Sequence, residues 1–185
     1  MEKTTRRGLM LGLGATGLLA ACGNGVGSDG GSRLDARVQS TLDHMYEQYP
    51  GTRELSAQSR GMLVMPLMTE VGLGLGGAYG RGALLVGRSV VDYYSAATAS
   101  AGLQIGAQQF SHVLFFMTEQ ALGDFRRAPG WAAGADVEYA INDRGEMLKA
   151  ETTTSLSPVI AVVFAQTGLR VGATLEGTKY SRIIP

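Results

Sequence analysis

The fold is decided by a glycine-rich apolar stretch that reads Val71-Gly-Leu-Gly-Leu-Gly-Gly-Ala-Tyr-Gly-Arg-Gly-Ala-Leu-Leu-Val86. From Gly61 onward the chain keeps this character, with short runs of Val, Leu, Tyr and Phe that are broken by glycine. Runs of this composition and length predict β-strands separated by turns. The candidate strands are residues 62–65, 72–79, 83–86, 94–107, 113–117, 135–141, 147–152, 159–166 and 169–176.

Two helical segments flank and interrupt these strands. Apolar residues recur in steps of four and three from Leu34 to Tyr49, which predicts an amphipathic helix over residues 34–49 that ends at Pro50. Thr118 is a suitable N-cap for a second helix over residues 118–127, and residues 52–60 could form a further short one. The sequence therefore predicts an α+β fold with a mostly antiparallel, strongly bent or barrel-like sheet.

A glycine spacing recurs along the predicted strands. Four segments fit Gly-x-x-x-Gly-small, and they begin at Gly72, Gly102, Gly130 and Gly168. On a strand, residues two and four apart face the same side, so each copy leaves a bare patch that another backbone can approach. Such patches favour a curved sheet that is closed or nearly closed. Chance matches are the alternative, because the chain contains 27 glycines.

The first 22 residues have the pattern of an export signal. A basic front end precedes an apolar run of 14 residues, and small residues precede the single cysteine. The ending Leu19-Ala20-Ala21-Cys22 resembles a bacterial lipobox, in which the Cys22 thiol would be diacylated and the chain cut before it. A transmembrane anchor is the alternative, but a spanning helix needs roughly 20 apolar residues. The paired Arg6 and Arg7 resemble a twin-arginine signal, and the general secretory route stays open.

These signals divide the chain into a leader over residues 1–21, a flexible tether over residues 22–33 and one domain over residues 34–185. Lipid on Cys22 is expected to hold that domain at a membrane. Gly23 follows the cysteine, in place of the Asp that retains lipoproteins in the inner membrane of enteric bacteria. The expected location is therefore the periplasmic face of an outer membrane.

Charge and cysteine content exclude several classes of function. Loss of the leader would remove three of the 16 basic and one of the 16 acidic residues, which leaves 13 and 15. This balance gives no reason to expect nucleic acid as a partner. Cys22 is the only cysteine in the chain, so a disulfide framework and a thiolate metal site are both excluded.

The sequence shows no catalytic pattern. It contains neither a Gly-x-Ser-x-Gly nucleophile turn nor a phosphate loop with its lysine. The two histidines, His44 and His112, have no metal-ligand spacing to each other or to an acidic pair. The best remaining carboxylates are Asp136, Glu138 and Glu176, which lie on predicted strands and could simply face water. We therefore expect a protein that is not an enzyme and that uses no metal or cofactor.

Several ordered blocks together resemble a known domain. They read Arg60-Gly-Met-Leu-Val-Met-Pro66, the stretch from Val71 to Val86, Ala101-Gly-Leu-Gln-Ile-Gly-Ala-Gln108, Phe115-Phe-Met-Thr-Glu-Gln-Ala-Leu122 and Gly168-Leu-Arg-Val-Gly-Ala-Thr-Leu-Glu-Gly177. In this order they resemble the SYLF domain family, over roughly residues 34–181. The resemblance implies lipid binding: eukaryotic SYLF proteins bind phosphoinositides and some bind actin filaments, whereas bacterial members are mostly exported lipoproteins.

The chain departs from the family in two places. Ser89-Val90-Val91-Asp92 stands where the family usually has a tryptophan and prolines, and the first helix lacks a strong basic stripe. Phosphoinositide recognition relies on clustered Lys and Arg, so that activity is not transferred. Two hypotheses follow: a lipid-anchored envelope protein that binds lipid or another apolar ligand, and a structural lipoprotein that contacts protein partners of unknown identity.

Overall fold

The computed structural model describes residues 29–134, 137–139, 157–165, 168–169, 175 and 177–185. Outside these ranges lie the predicted lipidation site and signal residues, Cys22, Arg6, Arg7, Leu19, Ala20 and Ala21. The candidate carboxylates Asp136 and Glu176 and the predicted strand over residues 147–152 also lie outside them. The division into leader, tether and domain therefore stays a prediction.

The first two helices are α1 (Gly30–Gln48) and α2 (Thr52–Gln58). The buried face of α1 is formed by Leu34, Val38, Leu42 and Met45, as the periodicity predicts. The helix nevertheless begins four residues earlier than expected and includes the end of the predicted tether. Asp29 explains the extension, because its carbonyl oxygen accepts from the Ser32 hydroxyl at 3.0 Å and its carboxylate pairs with Arg33 at 2.5 Å.

Two long strands form the centre of the sheet. Strands β1 (Gly61–Val86) and β2 (Ser89–Phe116) pair antiparallel along their whole length and are joined at Gly87, whose φ of 61° only glycine adopts easily. The prediction of several separate strands over this region was therefore wrong. The register shifts between Met65 and Met68, between Leu73 and Gly74, and between Leu84 and Leu85. Such bulges accommodate Pro66 and the glycines without ending the strand.

The β1–β2 ribbon folds back on itself. Gly82 lies against the backbone of Val64, and Gly80 lies against the backbone of Leu67, so a Cβ atom at either glycine would overlap a carbonyl oxygen. The two halves of β1 therefore meet at a distance that only glycine allows. This crossing produces the curvature that the glycine content predicts. Gly80 and Gly82 lie outside the Gly-x-x-x-Gly-small segments. Within those segments the surroundings differ: a Cβ atom at Gly77 would lie 2.9 Å from the carbonyl oxygen of Thr98, whereas Gly134 has open space around its Cβ position.

The remaining described elements extend the sheet on both sides of β2. They are α3 (Glu119–Arg127), β3 (Trp131–Ala132), β4 (Val137–Tyr139), β5 (Val159–Ala165), β6 (Gly168–Leu169) and β7 (Lys179–Ile183). The order is β3-β7-β2-β5-β4, with β1 paired to β2 and β6 paired to β5. Within the described residues every pair is antiparallel except β4 with β5. The fold is thus α+β, with a seven-stranded, curled half-barrel sheet, as predicted.

The two faces of the sheet bury different clusters. Alternate residues of β5 divide between them: Ile160, Val162 and Phe164 lie beneath α1 and α2, while Val159 and Val163 face the concave side. The concave side also receives α3, whose N-cap Thr118 accepts from the backbone N–H of Ala121 at 3.1 Å, as predicted. Helices α1 and α2, which we call the helix layer, cover the convex face. Within the described residues, no helix combines the length and apolar content needed to cross a bilayer.

Candidate functional site

The helix layer leaves part of the convex face uncovered. Beyond the N-terminal end of α1 the β1–β2 ribbon continues, and it exposes Val71 by 55% and Tyr79 by 56%. The paired positions on β2, Ala107 opposite Val71 and Ala97 opposite Tyr79, are also exposed. We call these four residues the open face. Each is an apolar side chain at a solvent-facing position of an antiparallel sheet, where polar side chains are usual.

A groove borders the open face and contains an excess of positive charge. It is a cavity of about 330 Å³ between the start of α1 and β1, with Arg33, Arg37, Thr69, Tyr79 and Arg81 among its lining residues, and we call it the α1 groove. Arg33 pairs with Asp29, whereas Arg37 and Arg81 form no ion pair with any residue that the structure describes. The groove therefore offers two guanidinium groups to an anion.

Two other arginines of the domain are already paired with a carboxylate. Arg126 and Arg182 flank the carboxylate of Asp92, with N···O distances of 3.4 and 3.5 Å. Each guanidinium presents several N–H donors in a planar fork that matches carboxylate and phosphate oxygens. Arg37 and Arg81 differ from these two arginines because no carboxylate of the described residues pairs with them, so the α1 groove is one part of the surface suited to bind an anion.

The wall of the groove is fixed by a contact between α1 and β2. The Tyr93 hydroxyl donates to the Asp35 carboxylate at 3.2 Å. Burial, and then the hydrogen bond and negative charge of Asp35, raise the pKa of Tyr93 above its usual value. The hydroxyl is therefore protonated and available as a donor throughout the physiological range. This contact holds the first turns of α1, and with them Arg33 and Arg37, against the sheet.

Sequence reasoning missed this site because its residues are distributed over two elements. The basic residues of α1 alone form no stripe, and Arg81 on β1 joins them only after folding. The signal that could have found it is the alternation of Tyr79 and Arg81 with Gly80 and Gly82, which places an aromatic and a cation on the same side of a strand.

The two histidines considered above lie in separate surroundings, and Glu138 is the one candidate carboxylate that falls within the described residues. His44 lies on α1 beside the Phe164 ring, with 6.0 Å between ring centroids. His112 is fully buried on β2, and its Nε2 shares a 2.8 Å hydrogen bond with the Tyr180 hydroxyl. Glu138 lies on β4. Among the residues that the structure describes, no group of three His, Cys, Asp or Glu could hold a metal ion.

Because His112 is buried, we expect the free energy of unfolding to fall in mild acid. Burial lowers the pKa of His112 from 6.5 to about 3, so below pH 6.5 the unfolded chain binds a proton that the folded protein does not. Stability therefore falls as the pH falls through this window. We expect the free energy of unfolding to decrease by about 2 kcal/mol between pH 7 and pH 5 because of His112.

Urea denaturation at the two pH values checks this expectation. His112→Asn should lose that part of the pH dependence, whereas His44→Asn, which replaces the other histidine, should keep it. An unchanged pH dependence in His112→Asn would contradict the assignment.

One family model matches the chain. The model, described as Ysc84, a Las17-binding protein actin regulator, matches residues 97–182. No curated protein matches the chain. The matched segment runs from the middle of β2 through α3 to β7, and it coincides with the later blocks of the SYLF resemblance. Residues 97–182, somewhat less than half of the chain, therefore match the Ysc84/SYLF family, in agreement with the SYLF resemblance of the sequence.

Proposed function

We propose that the protein is an exported, lipid-anchored component of the bacterial cell envelope whose SYLF domain binds lipid through the open face and the α1 groove. One observation supports the proposal: the exposed Tyr79 of the open face lines the same groove as Arg37 and Arg81, which form no ion pair with any described residue, and this groove lies at the start of α1. The proposal also places the protein at the periplasmic face of the outer membrane and assigns it no enzyme activity.

The position of the site relative to the anchor supports this function. The first helix begins at Gly30, eight residues after Cys22, and eight extended residues span at most about 28 Å. A lipid on Cys22 would keep the α1 groove within that distance of the bilayer. The groove and the open face are then the parts of the domain that meet headgroups most often.

The side chains suit the chemistry of a bilayer surface. A guanidinium near an anionic membrane contributes roughly 1 kcal/mol, so Arg37 and Arg81 together supply about 2 kcal/mol. Tyr79 presents an apolar ring and a polar hydroxyl, as is typical of residues at the membrane interface. These energies are smaller than that of the lipid chains on Cys22, at about 0.8 kcal/mol per buried methylene. The anchor would provide attachment, and the domain contact would select and orient lipid.

Vesicle co-sedimentation tests this contact. The sample is the chain from residue 22 onward with Cys22→Ser, which we call the soluble form. We expect it to bind vesicles that contain phosphatidylglycerol. Arg37→Gln and Arg81→Gln should each weaken binding about fivefold, since roughly 1 kcal/mol is lost at each. Arg88→Gln is the matched control, because Arg88 is an exposed arginine of the β1–β2 turn, outside the α1 groove.

The second candidate is a structural lipoprotein that contacts protein partners. The open face favours it too, since apolar patches of this kind also serve as protein interfaces. The two functions differ in the experiment. If the soluble form binds vesicles of no lipid class, and crosslinking in whole cells captures one recurrent protein through Tyr79, the second function replaces the first.

A further inference from the structure

A second cavity lies at the opposite end of α1. It has a volume of about 480 Å³, is about half open to solvent and is bordered by α1, α2 and the β1–β2 turn. Leu42, Met62 and Leu85 form an apolar floor, and each is at least nine-tenths buried. Small-molecule sites commonly have volumes of roughly 300 to 1,000 Å³ and combine an apolar lining with a few polar groups. The volume of this cavity lies in that range, and its lining combines the apolar floor with polar groups in about equal measure.

The polar wall is organised by contacts within the protein. The Tyr46 hydroxyl donates to Ser56 Oγ at 2.9 Å, which fixes the ring against α2. The Arg53 guanidinium lies 4.9 Å from the centroid of that ring, so a cation–π contact holds it at the rim. Arg88, from the β1–β2 turn, lines the same cavity. Neither arginine forms an ion pair with a carboxylate in the described part of the chain.

We propose that this cavity binds a small organic anion with an apolar body, such as a medium-chain carboxylate. The carboxylate would lie between Arg53 and Arg88, and the alkyl chain would lie on Leu42, Met62 and Leu85. Asp43 also lines the cavity and is its one acidic residue. The charge of the lining is therefore positive overall, and Asp43 opposes the anion without cancelling both arginines. The site does not depend on the proposed membrane contact, because it shares no lining residue with the α1 groove.

Calorimetric titration of the soluble form with octanoate tests the site. We expect saturable binding, and Arg53→Gln and Arg88→Gln should each weaken it about tenfold, which is the effect of losing one charged hydrogen bond. Arg88→Gln leaves the contact between Arg53 and Tyr46 intact, so the test does not depend on a single variant. Asp43→Asn should strengthen binding about threefold by removing a like charge.

Two controls distinguish binding in this cavity from adsorption elsewhere on the domain. Arg81→Gln, in the α1 groove, should leave the octanoate affinity unchanged. Octanol, which has the same body without the charge, should bind at least about tenfold more weakly. The proposal is overturned if octanoate does not bind, if octanol binds equally well, if both arginine variants bind as the parent does, or if Asp43→Asn weakens binding. Vesicle co-sedimentation is read separately, so either proposal can fail without the other.

Discussion

Gly82→Ala is expected to prevent stable folding of the domain. The new methyl group would overlap the carbonyl oxygen of Val64 and approach the Cα of Met65 at 3.0 Å. Both are backbone atoms of the facing half of β1, so no side-chain rotation relieves the overlap. The overlap could be relieved only if the two halves of β1 moved apart, and this movement would open the buried cluster between them. We expect a loss of roughly 3 kcal/mol or more of unfolding free energy, which is a large part of a domain's total.

Chemical denaturation of the soluble form measures this loss, with Gly134→Ala as the control. Gly134 has a negative φ and open space at its Cβ position, so the same substitution there should change stability by less than about 1 kcal/mol. If the two variants are equally stable, the halves of β1 do not cross at Gly82.

Phe125→Ala is expected to have the second largest effect. Phe125 of α3 is fully buried, and its ring centroid lies 4.7 Å from that of Tyr94, 4.8 Å from that of Phe116 and 5.5 Å from that of Trp131. Truncation would leave a cavity at the centre of these rings, and α3 would lose its main attachment to the concave face. Phe→Ala substitutions in such cores cost about 3 to 5 kcal/mol.

Thermal unfolding followed by Trp131 fluorescence checks this value, because Trp131 is the only tryptophan in the chain. Phe125→Leu keeps most of the apolar volume and should cost less than about 1.5 kcal/mol. A Phe125→Ala variant as stable as Phe125→Leu would show that α3 is attached to the sheet by other contacts.

Local sequence signals predicted the helices well. The spacing of Leu34, Val38, Leu42 and Met45 identified the buried face of α1, since helical periodicity depends only on residues within a few turns. Thr118 marked the start of α3 for a similar reason, because an N-cap bonds to a backbone group three residues away. These features need no information from distant parts of the chain.

The strands were harder to predict because distant contacts determine their limits. Bulges near Pro66 and Gly74 let β1 continue through residues that usually end a strand. Strand β7 was missed because only Tyr180 of its five residues is fully buried, so the segment lacks the alternation of a half-buried strand. It is held instead by pairing with β2, from Tyr93 to Ala97, more than 80 residues earlier.

The candidate site was invisible in the sequence for a related reason. Arg37 belongs to α1 and Arg81 to β1, and the two line one groove only because α1 packs across the ribbon. The solvent exposure of Val71 and Tyr79 depends on where the helix layer ends. Neither a charge pattern nor a periodicity within one element can indicate a site that two distant elements form together.

The central claim is that the open face contacts lipid, and a fluorescent label at Tyr79 tests it most directly. The soluble form has no cysteine, so Tyr79→Cys and, as a control, Val86→Cys at the far end of the ribbon can each carry one polarity-sensitive nitrobenzoxadiazole group. We predict that phosphatidylglycerol vesicles shift the emission at position 79 to shorter wavelength and raise its intensity, and leave position 86 unchanged. An unchanged spectrum at position 79, or equal changes at both positions, would contradict the claim.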